Sequence, residues 1–445
     1  MLLPMALHPV LQEKLHVGTT HIDMQAFTRR DVQLPIIAQK VHAVIGMRRA
    51  GKTIYLRQRQ QEWQRNHGAE SGVYINFDDD RLSDLPLEQL DLMLEEFYRT
   101  YPRLRAKEVV HWFFDEVQLV HGWERFVRRL LDTEKVEIIV SGSSAKLLSR
   151  EVHTSLRGRG IETIIRPFSF REFLRYHRDE PSKAPHLFRS VERSLIEKRF
   201  RDYLVIGGFP EAQELNPLLR IELLQGYVDT LIYRDVVERF RITQVTALRW
   251  LVRHTMRNPA SLMSIHRLHQ DLKAQGLGIS KDMLHALLGH LIDAFLLSTV
   301  PIATDSERRR NSNPRKVYPV DVALIRAFDR SGRPNIGHAL ETVVFNELER
   351  RKAEVAYVKT TDGYEVDFYA RYLDGKEELI QVCADLHDAG TKERELRALV
   401  EAKQEYRRAK MRLLVLNFDQ VAGIQTKDIL VQPTYQWLLE KDNQH

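Results

Sequence analysis

Two short stretches of the chain carry residue types that together do phosphate chemistry. Gly46-Met47-Arg48-Arg49-Ala50-Gly51-Lys52-Thr53 satisfies the pattern G-x-x-x-x-G-K-[ST], directly after the apolar run Val41 to Ile45 and directly before a stretch with helical spacing. Glycines let backbone N–H groups close around a phosphate, and the start of the helix adds partial positive charge. Lys52 reaches β- and γ-phosphates, and the Thr53 hydroxyl suits a hard ion such as Mg2+. The competing reading, a tight turn before a capped helix, is outweighed by the strand, loop and helix context. About sixty residues on, His111-Trp112-Phe113-Phe114-Asp115-Glu116 is an apolar run ending in two carboxylates. At the C-terminal end of a parallel strand, Asp115 is placed to organise Mg2+ and its waters, and Glu116 to act as general base on the attacking water. Without a preceding phosphate loop, such an acidic end would read as a solvated terminus.

Two further clusters stand nearby. Ser141-Gly142-Ser143-Ser144 ends the next strand, at the carboxyl edge where open α/β sheets bind ligands. Sensing of the γ-phosphate by Ser141 or Ser143, and simple capping of the following helix, are both open readings. Arg157 and Arg159 flank Gly158 just before the last core strand. A loop carrying two guanidinium groups is a candidate donor of positive charge to a phosphoryl-transfer site in a neighbouring subunit, although surface arginines are commonly just solvated.

These residues need a sheet whose strand ends are aligned. Short β-branched runs near Val41 to Ile45, Gly72 to Phe77, Val109 to Asp115, Val136 to Ser141 and Ile161 to Ile165 alternate with helical spacing at Thr53 to Trp63, Pro86 to Tyr98 and Trp123 to Asp132. That alternation predicts a five-stranded parallel sheet covered on both faces. From about Pro181 helices dominate, interrupted at Gly207, Gly208 and Pro210. Helices at Ala247 to Arg257, Ile265 to Ala274 and Lys281 to Ala294 precede a strand (Phe295 to Ile302), a basic loop (Ala303 to Lys316) and a returning strand (Val317 to Val320). This is the pattern of a winged helix-turn-helix. A helix at Leu340 to Arg351, strands at Val355 to Thr360, Tyr364 to Tyr372 and Leu379 to Ala384, a helix at Thr391 to Glu405 and a strand at Met411 to Asn417 predict a second α/β domain. The expected division is 1–180, a helical lid-like 181–242, 243–330 and 331–445.

A chain of 445 residues calls for several cores. Its one cysteine, Cys383, excludes an internal disulfide framework and a multi-cysteine zinc cluster and fits a reducing compartment, so the cytoplasm is expected. No apolar stretch approaches the roughly 18–20 residues of a bilayer crossing, and Met1 to Val10 lacks a basic start and a long apolar centre, so neither spanning nor secretion is expected. With 67 Lys and Arg against 61 Asp and Glu, the net charge of +6 permits a nucleic-acid partner without requiring one. Placement is more telling. Arg308, Arg309, Arg310, Arg315 and Lys316 fall in the proposed wing, and His266, Arg267, His269, Lys273 and Lys281 around the helix-turn-helix, where DNA phosphates are met. A solvated charge run or a protein-packing wing is the alternative.

Gly46 to Thr53, Asp115 to Gln118, Ser141 to Ser144, Leu156-Arg157-Gly158-Arg159, Pro167-Phe168-Ser169-Phe170-Arg171-Glu172-Phe173 and Gly207-Gly208-Phe209-Pro210 together resemble a large prokaryotic family of AAA-type ATPases. The likeness extends over nearly the whole chain. The phosphate loop alone marks any P-loop NTPase; the other elements are more restrictive. The resemblance implies ATP and Mg2+ as cofactors, with Gly46, Arg49, Ala50, Gly51, Lys52, Thr53, Ile54 and Ser141 on the nucleotide, Thr53 and Asp115 on the metal, and Lys52, Glu116 and Arg159 in catalysis. It also implies a winged helix and a restriction-endonuclease-like C-terminal domain, and some members of the family are thought to act on DNA; DNA as partner and a homo-oligomer are expected beside it. In the nuclease pattern a helix supplies a glutamate, a strand an aspartate, and the next strand acid-x-lysine. Glu341 and Asp367 match the first two, with Glu365 on the same strand face, but Gln381-Val382-Cys383 stands at the third. An amide cannot neutralise a metal and a thiol supplies no cation, so a nuclease-like fold without catalysis is expected unless Lys359 or Lys376 takes over. The reading that follows is an ATPase coupling ATP binding and hydrolysis to domain rearrangement on DNA. Its competitors are a nucleotide-gated DNA-binding regulator with slow turnover and, behind it, an ATP-powered nuclease.

Overall fold

A computed structural model describes residues 6–20, 23–35, 37–105, 107–142, 156, 158–329, 335–421, 424 and 426–440. The readings placed on Ser143, Ser144 and Arg157 lie outside the described residues. The chain forms two compact units: one runs to Arg166 and includes Asp293–Phe295, the other comprises Pro167–Ile292 and the chain from Leu296.

In the first unit α1 (Pro9–Gly18), β1 (Val41–Ile45), α2 (Lys52–His67), β2 (Gly72–Asn76), α3 (Glu88–Thr100), β3 (Val110–Asp115), α4 (Trp123–Thr133), β4 (Val136–Gly142) and β5 (Gly160–Ile164) follow one another. The five strands form a wholly parallel sheet in the order β2-β3-β4-β1-β5. Its central strands are predominantly apolar on both sides, each interrupted by one polar residue near its start (His42, His111 and Glu137), because both faces are covered. Val41, Ala43, Ile45, Trp112, Phe114, Ile138 and Val140 pack with Met93 and Phe97 of α3 and Phe126 and Leu130 of α4. Val44, Tyr74, Phe113 and Ile139 pack instead with Tyr55 and Leu56 of α2. With a side-chain period of two, Asp115 shares the α2 face with Phe113, and Ser141 shares it with Ile139.

The second unit contains α5 (Phe170–Tyr176), α6 (Ser190–Ile206), α7 (Pro217–Thr230), which runs on into a π-helical stretch at Leu231–Glu238, α8 (Val245–Arg257), β6 (Leu262–Met263), α9 (Ile265–Ala274) and α10 (Lys281–Asp293). It continues with β7 (Leu297–Val300), α11 (Glu307–Ser312), β8 (Arg315–Pro319), α12 (Ala323–Phe328), α13 (Ile336–Arg350), β9 (Glu354–Lys359), β10 (Glu365–Arg371), β11 (Glu377–Cys383), α14 (Ala389–Glu405), β12 (Lys410–Val415), β13 (Ile429–Pro433) and α15 (Thr434–Leu439). β6-β8-β7 is a small antiparallel sheet, and β13-β12-β11-β10-β9 is a mixed one in which β9 to β11 are antiparallel and β11 to β13 parallel.

The expected boundary after residue 180 falls instead after Arg166. The reason is α5: Phe170 and Phe173 join Phe200 and Tyr203 of α6 in a core that also takes in Tyr318, Leu340, Phe368 and Trp437, so the three later segments share one interior. The conspicuous Ser169-Phe170-Arg171-Glu172 stretch is a capping box. Ser169 Oγ accepts from the Glu172 N–H at 3.1 Å, and Glu172 Oε2 accepts from the Ser169 N–H at 3.0 Å. Gly208 is needed for close approach, since a Cβ there would stand 2.3 Å from the Phe168 carbonyl oxygen. Within the stretch 303–316, read as a loop, lies α11, capped by Ser306 Oγ accepting from the Arg309 N–H at 3.3 Å. β6 adds a third strand to the expected ribbon, and β13 and α15 complete the last sheet beyond the expected elements.

Candidate active site

The turn after β1 is shaped by residues that tolerate its backbone. Gly46 has φ of 145°, and a Cβ at this position would lie 2.2 Å from the Ile165 carbonyl oxygen, so only glycine fits against the residue that follows β5. Arg49 and Gly51 also take left-handed φ, 65° and 98°, and Gly51 sits at the start of α2. The buried Lys52 ammonium donates to the carbonyls of Gly46 at 3.0 Å and Met47 at 3.1 Å, which sets it inside the curve of the loop. Arg30, also buried, ties the loop from outside through bonds to the carbonyls of Ala50 at 2.9 Å and Arg166 at 2.5 Å.

β4 lies between β1 and β3, and the pairings Val44 with Ser141 and Phe114 with Val140 bring the three carboxyl ends level. Asp115, 1% exposed, there accepts from three hydroxyls. Thr53 Oγ1 donates to its Oδ2 at 2.8 Å, Tyr74 Oη donates to the same oxygen at 2.6 Å, and Ser141 Oγ donates to Oδ1. Ser141 in turn accepts from the Glu116 N–H at 3.2 Å. Glu116 has φ of 53°, a left-handed conformation that costs a non-glycine residue about 1–2 kcal/mol. Its carboxylate accepts from Gln118 Nε2 at 2.5 Å. Burial first, and the Asp115 carboxylate second, push the Tyr74 hydroxyl far above its ordinary pKa, so it stays a donor. The Arg57 guanidinium stacks 3.4 Å from the centre of the Tyr74 ring, and burial lowers its pKa.

Gly46, Lys52, Thr53, Asp115, Glu116 and Ser141 thus converge at one sheet edge. Arg49 is exposed on the loop, Ala50 is buried in it, and Ile54 is half-buried in the first turn of α2. The structure does not bring Arg159 to this group. It precedes Gly160, which pairs with Val41 at the amino edge of the sheet, a strand length of about 15 Å from Gly46. There Arg159 is ion-paired with Asp132. Sequence reasoning missed Arg30, Arg57 and Tyr74; Tyr74 alone carried a signal, a polar tip on the α2 face of an apolar strand.

One placement needs correction. Lys316, read with the basic wing, is turned inward with a side chain only 3% exposed. The two-residue period of β8 puts it on the same face as Tyr318, towards α13, while Arg315 has the opposite parity. Glu341 and Asp367, on α13 and β10, do meet, around this lysine.

A hydroxyl and a carboxylate are oxygen donors of the kind Mg2+ takes, and a lysine and helix start within a glycine turn suit a phosphate chain. Among the described residues no helix is long and apolar enough to cross a membrane. Residues 38–174 match the AAA domain family, and residues 197–334 match a domain of unknown function (DUF8612). The chain is 27% identical over 337 residues to an uncharacterized protein of Haemophilus influenzae, covering 75% of this chain and 80% of that one. Among solved structures, the Walker-type ATPase PABY2304 of Pyrococcus abyssi superposes with a TM-score of 0.41 at 15% identity, covering 65% of this chain and 90% of the other. The uncharacterized protein MJ1544 of Methanocaldococcus jannaschii is 32% identical over 421 residues, 92% of this chain and 90% of that protein. The chain belongs to the family of MJ1544, and its first unit carries an AAA-type P-loop ATPase domain.

Proposed function

We propose that the protein is a Mg2+-dependent ATPase that uses nucleotide binding and hydrolysis to act on DNA. The observation that carries the nucleotide chemistry is the hydroxyl network on Asp115, with Thr53 Oγ1 at 2.8 Å on one oxygen and Ser141 on the other. Lys52 and the loop N–H groups bind the phosphate chain, while Thr53 and Asp115 hold the metal. The bound ion supplies charge neutralisation on the phosphates. Glu116 takes a proton from the attacking water, and its position follows from the Ser141 bond to its N–H together with Gln118. Because its own loop lies at the opposite sheet edge, Arg159 is assigned to the site of a neighbouring subunit in a homo-oligomer.

Two basic surfaces support DNA as partner. Arg308 and Arg309 are exposed on α11, with Arg310 and Arg315 half-buried beside them. A groove of about 300 Å3 is lined by Arg249, Arg253 and Arg257 of α8 and by Arg326, with Asp229 and Asp329 as its acidic members. The three α8 arginines recur every four residues, hence on one helix face about 6 Å apart along the axis, an arrangement suited to successive phosphates. The test is ATP turnover by the full chain across duplex, forked and single-stranded DNA, beside nucleotide-dependent DNA affinity. Stimulated turnover supports the proposal. Nucleotide-gated affinity with negligible turnover would replace it with a switch, and no response to any DNA would remove the partner.

A further inference from the structure

Three carboxylates meet one buried amine in the second unit. Lys316 Nζ lies 3.0 Å from Glu341 Oε1, 2.9 Å from Glu365 Oε1 and 2.9 Å from Asp367 Oδ1. Two of these carboxylates have further partners. Tyr318 Oη donates to Glu341 Oε1 at 2.7 Å, and the Val382 N–H donates to Asp367 Oδ2 at 3.0 Å. Gln381 Oε1 accepts from the Asp367 N–H at 3.2 Å, and its amide donates to Glu395 Oε2 at 2.5 Å. Burial alone would drive this amine towards neutrality, but the charges of Asp367, Glu341 and Glu365 outweigh it and hold the ammonium well above the ordinary lysine range.

Buried carboxylates are either paired with cations or coordinate metal. The nuclease-like resemblance implies a divalent ion at Glu341 and Asp367, and the residues present do not fit one. The point on which one oxygen of each carboxylate converges is filled by nitrogen, so a second cation there would meet like charge at contact distance. The amide of Gln381, where the pattern has an acid, is already spent on Asp367 and Glu395. The Cys383 thiol bonds the Asp385 carbonyl, and burial pushes it up to about 11, so it offers no thiolate at neutral pH. Among the described residues no group of three or more His, Cys, Asp or Glu is arranged to hold a metal.

We propose that the Lys316 ammonium stands in for the divalent cation at Glu341, Glu365 and Asp367, closing this site to metal and fastening β8 to α13 and β10. The lysine comes from a strand that precedes the carboxylates in sequence, so an internal side chain does what a diffusible ion would otherwise do. The second unit then needs no metal to compensate these charges. Removing the amine without its bulk, in Lys316→Met, leaves three carboxylates facing one another and turns a closed site into a metal-accepting one.

The experiment uses nucleotide-free full-length protein, which keeps the ATPase site from taking up metal with nucleotide, and reads Mn2+ binding by calorimetry and thermal melting. Wild type is expected to show no Mn2+ binding that Asp367→Asn removes. K316M is expected to melt lower, to recover with Mn2+, and to gain affinity at the cluster by more than about tenfold, with D367N in the same background abolishing the gain. Mn2+ bound by wild type in a D367N-sensitive way, or Mn2+-dependent cutting of labelled DNA lost in D367N, would overturn the proposal. So would a folded K316M that binds no more Mn2+ than wild type. If K316M does not fold, the wild-type and D367N titrations still decide whether the native site is closed.

Discussion

Ser141→Ala tests whether one hydroxyl aligns both acids of the ATPase site. Ser141 is fully buried, donates to Asp115 and accepts from the Glu116 N–H at 3.2 Å, so the substitution removes a charge-assisted bond and leaves a backbone donor unpaired. Together these losses are worth about 2–4 kcal/mol of stability, a fall of roughly 5–15 °C in melting temperature for a unit of this size. The kinetic effect runs through Glu116. Its left-handed backbone is held partly by the lost bond, and relaxation towards an ordinary conformation re-aims the carboxylate. A displaced general base costs about 10- to 100-fold in kcat, whereas KM for ATP stays near wild type because the loop and Lys52 are untouched. Tyr74→Phe is the control: it removes a donor from Asp115 at 2.6 Å but touches nothing on Glu116, so it destabilises by about 1–2 kcal/mol with much less loss of kcat. Urea unfolding and steady-state turnover measure both. An S141A enzyme that melts lower yet turns over at the wild-type rate would refute the alignment argument, and an unchanged melt would remove the hydrogen-bond argument beneath it.

Lys52→Ala is expected to lower nucleotide affinity below detection in calorimetry, because the loop's own cation is lost. Glu116→Gln should retain ATP binding and lose turnover by at least about a hundredfold; wild-type turnover would remove Glu116 as the base. His111 is buried and stacked on Trp63 with ring centres 3.4 Å apart, and burial holds its imidazole down to about 3. The unfolded chain takes up this proton near pH 6.5 and the folded one does not, so stability is full above that pH and falls by up to about 1.4 kcal/mol per unit as pH drops towards 3. Urea titrations at several pH values should find this slope reduced in His111→Phe. Reversing charge at Arg253 and Arg257 should weaken DNA binding and flatten its dependence on salt, read by fluorescence anisotropy; unchanged salt dependence would exclude the α8 groove as the contact.

The phosphate loop and its two acids were legible because each is a local message. The glycines, lysine and threonine act within eight residues of chain, and Asp115 and Glu116 end a strand whose apolar run announces burial on both faces. Strand order is a different kind of fact. Nothing in the run Val136 to Gly142 says that it inserts between β1 and β3, yet that insertion brings Ser141 to Asp115. Tyr74 and Arg30 went unread for the same reason: their partners lie 41 and 20 or more residues away, across a sheet and along a loop. β13 was missed because its pairing with β12 is supplied by the sheet, and Leu430 on it is exposed rather than part of a continuous apolar run.

The reading of Lys316 as a wing cation shows what period alone can still teach. Lys316 shares its parity with Tyr318 on a strand whose residues 316 to 319 are all buried, and a lysine on an inward face cannot stay there without acids to meet it. The same sequence holds Glu341 on a largely apolar helix and Asp367 on a strand, both largely buried and in want of a partner, with the more exposed Glu365 two residues before Asp367. The buried lysine and these two acids are each an anomaly alone. Taken as one charge balance they compensate one another, and the physical rule that buried charges come in compensated sets connects residues 316 and 367 when hydropathy does not. Searching for a missing lysine only among neighbours in the chain, such as Lys359 and Lys376, follows chain order, whereas the electrostatic requirement depends only on distance in the fold.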